Sequence, residues 1–450
     1  MPRVRDMTTG RPARHILAFC LPIAAGNILQ QLYNLVDALV IGRGEGVAAL
    51  AAVSGSGWLD WLVLSIAMGL AQGFGIQIAQ SFGAGDHPRL RRAVGQSILL
   101  SIFTVILLEI TAQTCLTPML RVLDFPDNTV DMTRTYLRIV FAGLPLIMAY
   151  NLMAGFLHAV GDSRTPLLAL TLATVCNILL DILLVMVVHL GVTGAALATT
   201  ASQAVSSAVC LLAIWHLPVL HASRQDLKPD PVMMGRLIRL GAPIAFQNLI
   251  ISLGGLVLQR VVNGFGFIFM AGYNAASRLQ GMLEMCGTAI GNAMGTFAGQ
   301  NLGAGRTDRI REGLRHSAWI ATGVALTITA VMILFGRNLL SLFVEDDPAI
   351  VEQVLLYGYR FLIIMASGLP FLYLLFVFRS TLQGIGDTFV PMLSGGVELI
   401  CRIASALILP LFFGEWGVYF SEITAWIGAA VLLMWGYRRR MRLIDIGMHS

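Results

Sequence analysis

The sequence predicts an all-α integral membrane protein of about twelve transmembrane helices, arranged as two parallel six-helix lobes. Three observations lead there. Apolar runs long enough to cross a bilayer recur from Ile16 to Tyr437, basic residues fall in every second connection, and the second half repeats anchors of the first in the same order.

Of the 450 residues, 56% are hydrophobic and only 12% charged. A soluble globular protein carries roughly 25% charged residues, so this balance excludes an ordinary soluble domain. The net charge of +5 is dispersed in short clusters between apolar runs. No basic domain offers itself to nucleic acid. The six cysteines, Cys20, Cys115, Cys176, Cys210, Cys286 and Cys401, form no CxxC pair and read as small apolar residues. The basic start resembles a signal peptide, but its apolar stretch continues through Val40, which indicates an uncleaved first span.

A spanning helix needs about 20 mostly apolar residues. Such spans are expected near 16–42, 50–80, 93–118, 133–158, 165–188 and 192–216, then near 237–262, 268–298, 314–336, 355–383, 389–413 and 416–437. Arg and Lys resist translocation and collect on the cytoplasmic side. Arg3, Arg5, Arg11 and Arg14, then Arg89, Arg91 and Arg92, Arg164, Arg224, Lys228, Arg236 and Arg239, Arg306, Arg309, Arg311 and Arg315, and finally Arg438, Arg439, Arg440 and Arg442 share one side. The opposite connections carry Asp124, Asp127, Glu345, Asp346 and Asp347. Both termini are therefore expected in the cytoplasm, in an inner or plasma membrane.

The duplication has an offset of about 220 to 225 residues. LPIAAGN from Leu21 matches APIAFQN from Ala242, and QSFGAG from Gln80 matches QNLGAG from Gln300. GLP recurs at Gly143 and Gly368, and VGDSRTP from Val160 matches IGDTFVP from Ile385. An even number of spans per copy makes the repeat parallel, with its pseudo-axis along the membrane normal. The expected division is a lobe over 1–216, a proline-bearing cytoplasmic linker over 217–236 and a second lobe over 237–450, with a cleft implied between the lobes. The GAG of each elbow lacks the Lys and Ser/Thr of a phosphate loop and reads as a helix end. Each Gly-Asp-x-x-x-Pro reads as a turn, with Pro166 and Pro391 opening the next helix.

An ionisable group at bilayer depth costs at least about 2.5 to 3.5 kcal/mol on insertion scales, so it faces protein or water and has a task. In the first span Asn27, Gln30, Asn34 and Asp37 form one polar stripe at helical spacing. Thr171, Thr174, Asn177 and Asp181 do so in the fifth, and Thr199, Gln203 and Ser206 in the sixth. Asp37, Asp181 and Thr199 lie at one level, roughly 8 to 12 Å from the outer ends at 1.5 Å per residue. Two carboxylates in one low-dielectric pocket must share a proton or a cation. A hydrogen-bond network between helices is the structural alternative. The repeat counts against it, because Asp37 meets Leu258 and Asp181 meets Ala406 in the other half.

In the second half, Ser277, Gln280, Glu284, Thr288 and Asn292 trace a stripe along the eighth span, with Arg278 beside it. Glu284, with no partner expected in its own helix, suits a cationic ligand. Glu398 and Arg402, four apart, suggest an intrahelical ion pair. Arg379 is expected to snorkel to the cytoplasm, and Asp60, aligned with Gln280 and flanked by Trp58 and Trp61, to lie nearer the outer interface. Gln30, Asn34, Asp60, Gln203, Arg278, Gln280 and Glu284 are the substrate-cleft candidates. The 20 Met and 22 Phe permit a deformable apolar wall.

Over essentially its full length the chain resembles the multidrug and toxin extrusion (MATE) family. The resemblance rests on the twelve-span duplication, Asn34-Leu-Val-Asp37 with Gly42 following, the paired QSFGAG and QNLGAG elbows, and Asn177-Ile-Leu-Leu-Asp181. It implies alternating access of two lobes and export of cationic, often aromatic compounds against protons or sodium. It also implies a first-lobe ion site at Asp37, Asn177, Asp181 and, by spacing, Thr199, with Na+ as one candidate occupant. The seventh span departs from some members of the family, carrying Gln259 and Arg260 but no acid. The expectation is a secondary active antiporter that is not an enzyme, needs no cofactor beyond H+ or Na+, works as a monomer in membrane lipid and takes small organic cations. The alternatives are a flippase or exporter of a lipid-linked or amphipathic metabolite, and a membrane-embedded enzyme. No HExxH, aspartate-rich pair or Ser/His/Asp set supports the enzyme.

Overall fold

A computed structural model describes residues 4–122, 127–343 and 348–449. Among them every regular element is helical. The first half comprises α1 (Pro12–Gly44), α2 (Val47–Gly83), α3 (His87–Val122), α4 (Asp127–Ala142), α5 (Leu144–Ala159), α6 (Arg164–Asp181) and α7 (Gly191–Trp215). The second comprises α8 (Pro231–Asn263), α9 (Phe267–Gly303), α10 (Thr307–Ser341), α11 (Pro348–Gly384), α12 (Phe389–Phe413) and α13 (Glu415–His449). A π-helical segment, Ile182–Val187, follows α6 directly, and a 3-10 turn, Pro218–Leu220, follows α7.

Among the described residues ten helices are long and apolar enough to cross a membrane, and α4 with α5, bent by 47° at their break, make an eleventh when counted as one broken span. The 37-residue α9 supplies the twelfth rod of the duplication. Its polar stripe keeps it below the hydropathy of a spanning helix, so length and repeat, not apolarity, identify it. The break between α4 and α5 corrects the expected single span at 133–158. Pro145 sits in the first turn of α5 just after Gly143, whereas its repeat counterpart Pro370 lies inside an unbroken α11. Of the acidic outer connections, Asp124, Glu345, Asp346 and Asp347 lie outside the described residues, as does the side chain of Asp127.

The elbows follow the sequence reading. Gly85 and Gly305 have φ of 67° and 70°, the left-handed conformation that closes a helix. The Gly-Asp turns hold more than a proline. The Asp162 carboxylate accepts from the N–H groups of Arg164 and Thr165 at 3.0 and 3.1 Å, and Asp387 accepts from that of Val390 at 3.2 Å. Each aspartate thus satisfies free donors at a helix start.

The chain folds as two compact units, one of Met1–Asp6 with Leu21–Ala245, the other of Met7–Cys20 with Phe246–Ser450. The division at 216 and 236 read from the sequence follows the hydropathy. The units instead give the linker and the start of α8 to the first and the start of α1 to the second. In the first unit α2, α5 and α7 pack centrally, with α3, α4 and α6 against them. Phe74, Ile78, Leu90 and Leu157 fill one core, and Leu116, Leu137, Phe141 and Val185 another. The linker is fastened to α3. Gln96 Nε2 donates to the carbonyls of Asp226 and Lys228 at 2.7 and 2.8 Å, and Gln96 Oε1 accepts from Asp230 N–H at 3.0 Å. A Cβ on the adjacent Gly95 would stand 2.4 Å from the Asp226 carbonyl oxygen, so glycine there lets the linker lie on the helix. The Ser223 hydroxyl in turn holds the Asp226 carboxyl below the usual carboxylate range.

In the second unit α11 is the central helix, packed by α9, α10 and α13, with α12 against α13. The segment before α1 is held here by its backbone. Met7, fully buried, donates its N–H to Gln300 Oε1 at 2.9 Å. Arg309 donates to the carbonyls of Met7 and Thr9, both at 3.1 Å, and of Gly10 at 2.9 Å. The QNLGAG elbow is therefore a peptide clamp as well as a helix end.

Candidate ion and substrate site

The polar stripes of the first unit meet. α1 supplies Tyr33 and Asp37, α2 supplies Asp60, α4 supplies Tyr136, α6 supplies Asn177 and Asp181, and α7 supplies Thr199. Asp37 is 9% exposed, while Asn177 and Asp181 are fully buried. The carboxyls of Asp37 and Asp181 are immediate neighbours, close enough to share a proton. Tyr33 donates its hydroxyl to Thr199 Oγ1 at 3.1 Å and lies within electrostatic reach of Asp37, Asp60 and Asp181.

What distinguishes the cluster is what its atoms lack. Asp37 Oδ1, Asp60 Oδ1, both carboxylate oxygens of Asp181 and both amide atoms of Asn177 are buried without a hydrogen-bond partner in the protein. An unsatisfied buried polar group costs about 1 to 3 kcal/mol, more when charged, so natural cores rarely keep several together. A fold that holds oxygens from three helices this way is suited to a guest that bonds to them, either a proton shared by the carboxyls or a small hard cation taking oxygen ligands. The π-helical segment begins at the residue after Asp181. Such bulges interrupt helices most often at functional sites.

The structure brings Asp37 and Asp181 together and links Thr199 to them through Tyr33, with Asn177 one turn before Asp181 on α6; Tyr33, Tyr136 and Asp60 are additions to the expected set. Tyr33 carried a signal, standing four residues before Asp37 on the same helical face. Tyr136 carried none. Asp60, expected nearer the outer interface, reaches the electrostatic neighbourhood of both tyrosines. Of the other first-unit candidates, Asn34 is exposed and Gln30 half-buried, and Gln203 accepts a long bond from Ser206 on its own helix at 3.5 Å.

In the second unit three expectations change. Arg402 pairs with Glu422 of α13 at 2.8 Å, not with Glu398 four residues away. Glu398 pairs instead with Arg379 of α11, whose side chain is 11% exposed and does not snorkel. Both pairs cross between helices, because a buried charge needs a direct partner and the side chains at 398 and 402 each meet one on a neighbouring helix. Glu284, expected to lack a partner on its own helix, accepts from Gln280 Nε2 at 2.8 Å. Glu284 also lies within electrostatic reach of Arg402, Glu398 and Glu422, while Arg278 is exposed.

A duplicated bundle of long apolar helices defines a polytopic membrane protein. Residues 22–183 and 243–408 both match the family model MatE, one copy in each half, and the chain belongs to that family. The probable multidrug resistance protein YoeA of Bacillus subtilis is 27% identical over 442 residues, 94% of this chain and 93% of that protein. The FAD transporter of Shewanella oneidensis is 26% identical over 404 residues, covering 88% and 87%. A crystal structure of MATE in complex with MaL6 superposes with a TM-score of 0.92 at 23% identity, over 99% of this chain and 100% of that one. That likeness establishes the shared fold. The chain is thus a multi-pass membrane protein of a multidrug-efflux family.

Proposed function

We propose that the protein is a secondary active exporter of small organic cations and xenobiotics, driven by inward movement of H+ or Na+ through alternating access, in an inner or plasma membrane with both termini in the cytoplasm. The observation that carries this reading is the buried Asp37 and Asp181 pair, of which Asp37 Oδ1 and both Asp181 oxygens have no hydrogen-bond partner in the protein. In it, Asp37, Asn177, Asp181 and Thr199 take up the coupling ion, with Tyr33 orienting Thr199. Arrival of the cation neutralises the pair, repacks α1, α6 and α7 and releases substrate outward; loss of the cation to the cytoplasm resets the cycle. Gln30, Asn34, Asp60, Gln203, Gln280, Glu284 and Arg278 are the substrate contacts, and Glu284 attracts the positive charge. One proton moving down 100 mV supplies about 2.3 kcal/mol, which sustains roughly a 50-fold gradient at one-to-one exchange when the substrate moves no net charge.

The test is efflux of a fluorescent organic cation from proteoliposomes, with proton and sodium gradients imposed separately, for the wild type and Asp37→Asn. Gradient-driven efflux that the substitution removes supports antiport and names the ion. A second reading draws on the relative described as an FAD transporter. Export of an amphipathic anionic metabolite would appear in the same vesicles as dinucleotide efflux without dye efflux.

A further inference from the structure

A cavity of about 720 Å3 in the first unit plays no part in the ion site. Its floor is α5, through Met148, Ala149 and Leu152, and its walls are α3 on one side and the end of α7 on the other. The linker roofs one end with Leu220, His221 and Leu227. At the rim, Ile102, Leu211 and Trp215 are 51%, 52% and 72% exposed, so the trough opens sideways where a spanning bundle meets hydrocarbon.

Two features give it chemistry. Ser101 lines the cavity, is 4% exposed, and its hydroxyl has no hydrogen-bond partner in the protein. An alkyl chain alone would leave that donor unsatisfied at a cost of about 1 to 3 kcal/mol; an ester carbonyl would not. The roofing segment carries two basic and two acidic residues, and the α3 wall beside it adds two more basic ones. Arg224 and Lys228 are exposed on the linker, and Arg91 and Arg92 stand at the start of the α3 wall, against Asp226 and Asp230 as the only acids among residues 221–230. Arg92 engages Asp230 at 3.1 Å, and Asp226 is bound to Ser223. More positive than negative charge therefore lies beside the closed end. Basic pockets between spans at the positively charged face recognise acidic lipid head groups, and tryptophan favours the same interface.

We infer that the trough between α3 and α7 is a binding site for one anionic glycerophospholipid, its acyl chain along α5, an ester carbonyl on Ser101 Oγ and its head group beneath Arg224 and Lys228. The trough is lined by the helices that pack around α5 and not by the acids of the coupling site, so the inference does not depend on the transport reading.

Delipidated full-length protein would be titrated in detergent with phosphatidylglycerol and with phosphatidylcholine, and bound lipid counted by native mass spectrometry. The expected result is one phosphatidylglycerol retained at least about tenfold more tightly than phosphatidylcholine, given roughly 1 kcal/mol per basic residue near a membrane surface. Ala149→Phe, which fills the floor, should remove that lipid. Ser101→Ala should weaken both lipids, and Arg224→Ala with Lys228→Ala should remove only the preference. Because Ala149→Phe could also disturb packing, wild-type protein would be photolabelled with phosphatidylglycerol bearing a diazirine on its acyl chain. Labelled peptides from 94–105 and 145–156 support the site. Equal retention of the two lipids, labelling confined to other helices, or displacement by an organic dye with no lipid bound would overturn it.

Discussion

Asp37 and Asp181 lie buried side by side with three of their four oxygens unpartnered, and on the proposed reading their substitution should separate coupling from folding. Asp37→Asn and Asp181→Asn should each abolish gradient-driven efflux while leaving yield and thermal stability in detergent unchanged, since an amide is smaller in charge but not in shape. Wild-type efflux by either variant would end the proposal. The ion pairs of the second unit should behave in the opposite way. Arg379→Ala leaves Glu398 buried alone and should cost about 3 to 5 kcal/mol, while Arg379→Met combined with Glu398→Leu should recover most of it. Thermal melting of the two proteins decides the point. The meeting of Asp37 and Asp181 was legible because each ends a stripe of polar residues at helical spacing along a single span, where a sequence shows a face directly. The pairs were not, because Arg379 and Glu398 stand on different helices and their meeting depends on how α11 and α12 pack. Glu398 and Arg402, four apart, offered a local solution that the packing rejects.

At the scale of the helix, the π-helical turn after Asp181 carries one residue more than an α-helical path needs, and Val188 N–H bonds to Leu183 O at 2.8 Å, five residues back. Deleting Leu183 should restore a regular helix, turning Asp181 by about 100° relative to the end of the span. Insertion should persist and ion-driven efflux should not, as read in the same vesicles. Gly95 gives a second check. Gly95→Val drives a side chain into the Asp226 carbonyl and should detach the linker from α3, exposing 217–230 to faster limited proteolysis. Hydropathy located nearly every helix, yet it missed both features. A π-bulge leaves no mark on composition, and the hold of Gln96 on the linker is made to backbone groups whatever side chains the linker carries.

Across the whole molecule, cysteines introduced at Asp86, Ser223 and Asp308 should all react with a membrane-impermeant thiol reagent from the cytoplasmic face alone, because all three lie in the basic connections. Labelling of any one from outside would refute the orientation. The duplication, read from four short anchors, is matched by the family model once in each half. Membership of the units was not legible, since hydropathy sees neighbours in the chain and a contact across hundreds of residues is invisible to it. That contact sets a timetable for biosynthesis. Met7 and its acceptor Gln300 are 293 residues apart, which at 5 to 20 residues per second is a wait of roughly 15 to 60 s on the ribosome. The stretch from Met7 to Gly10 is thus made long before its partners, and a product that terminates before Gln300 lacks every one of them.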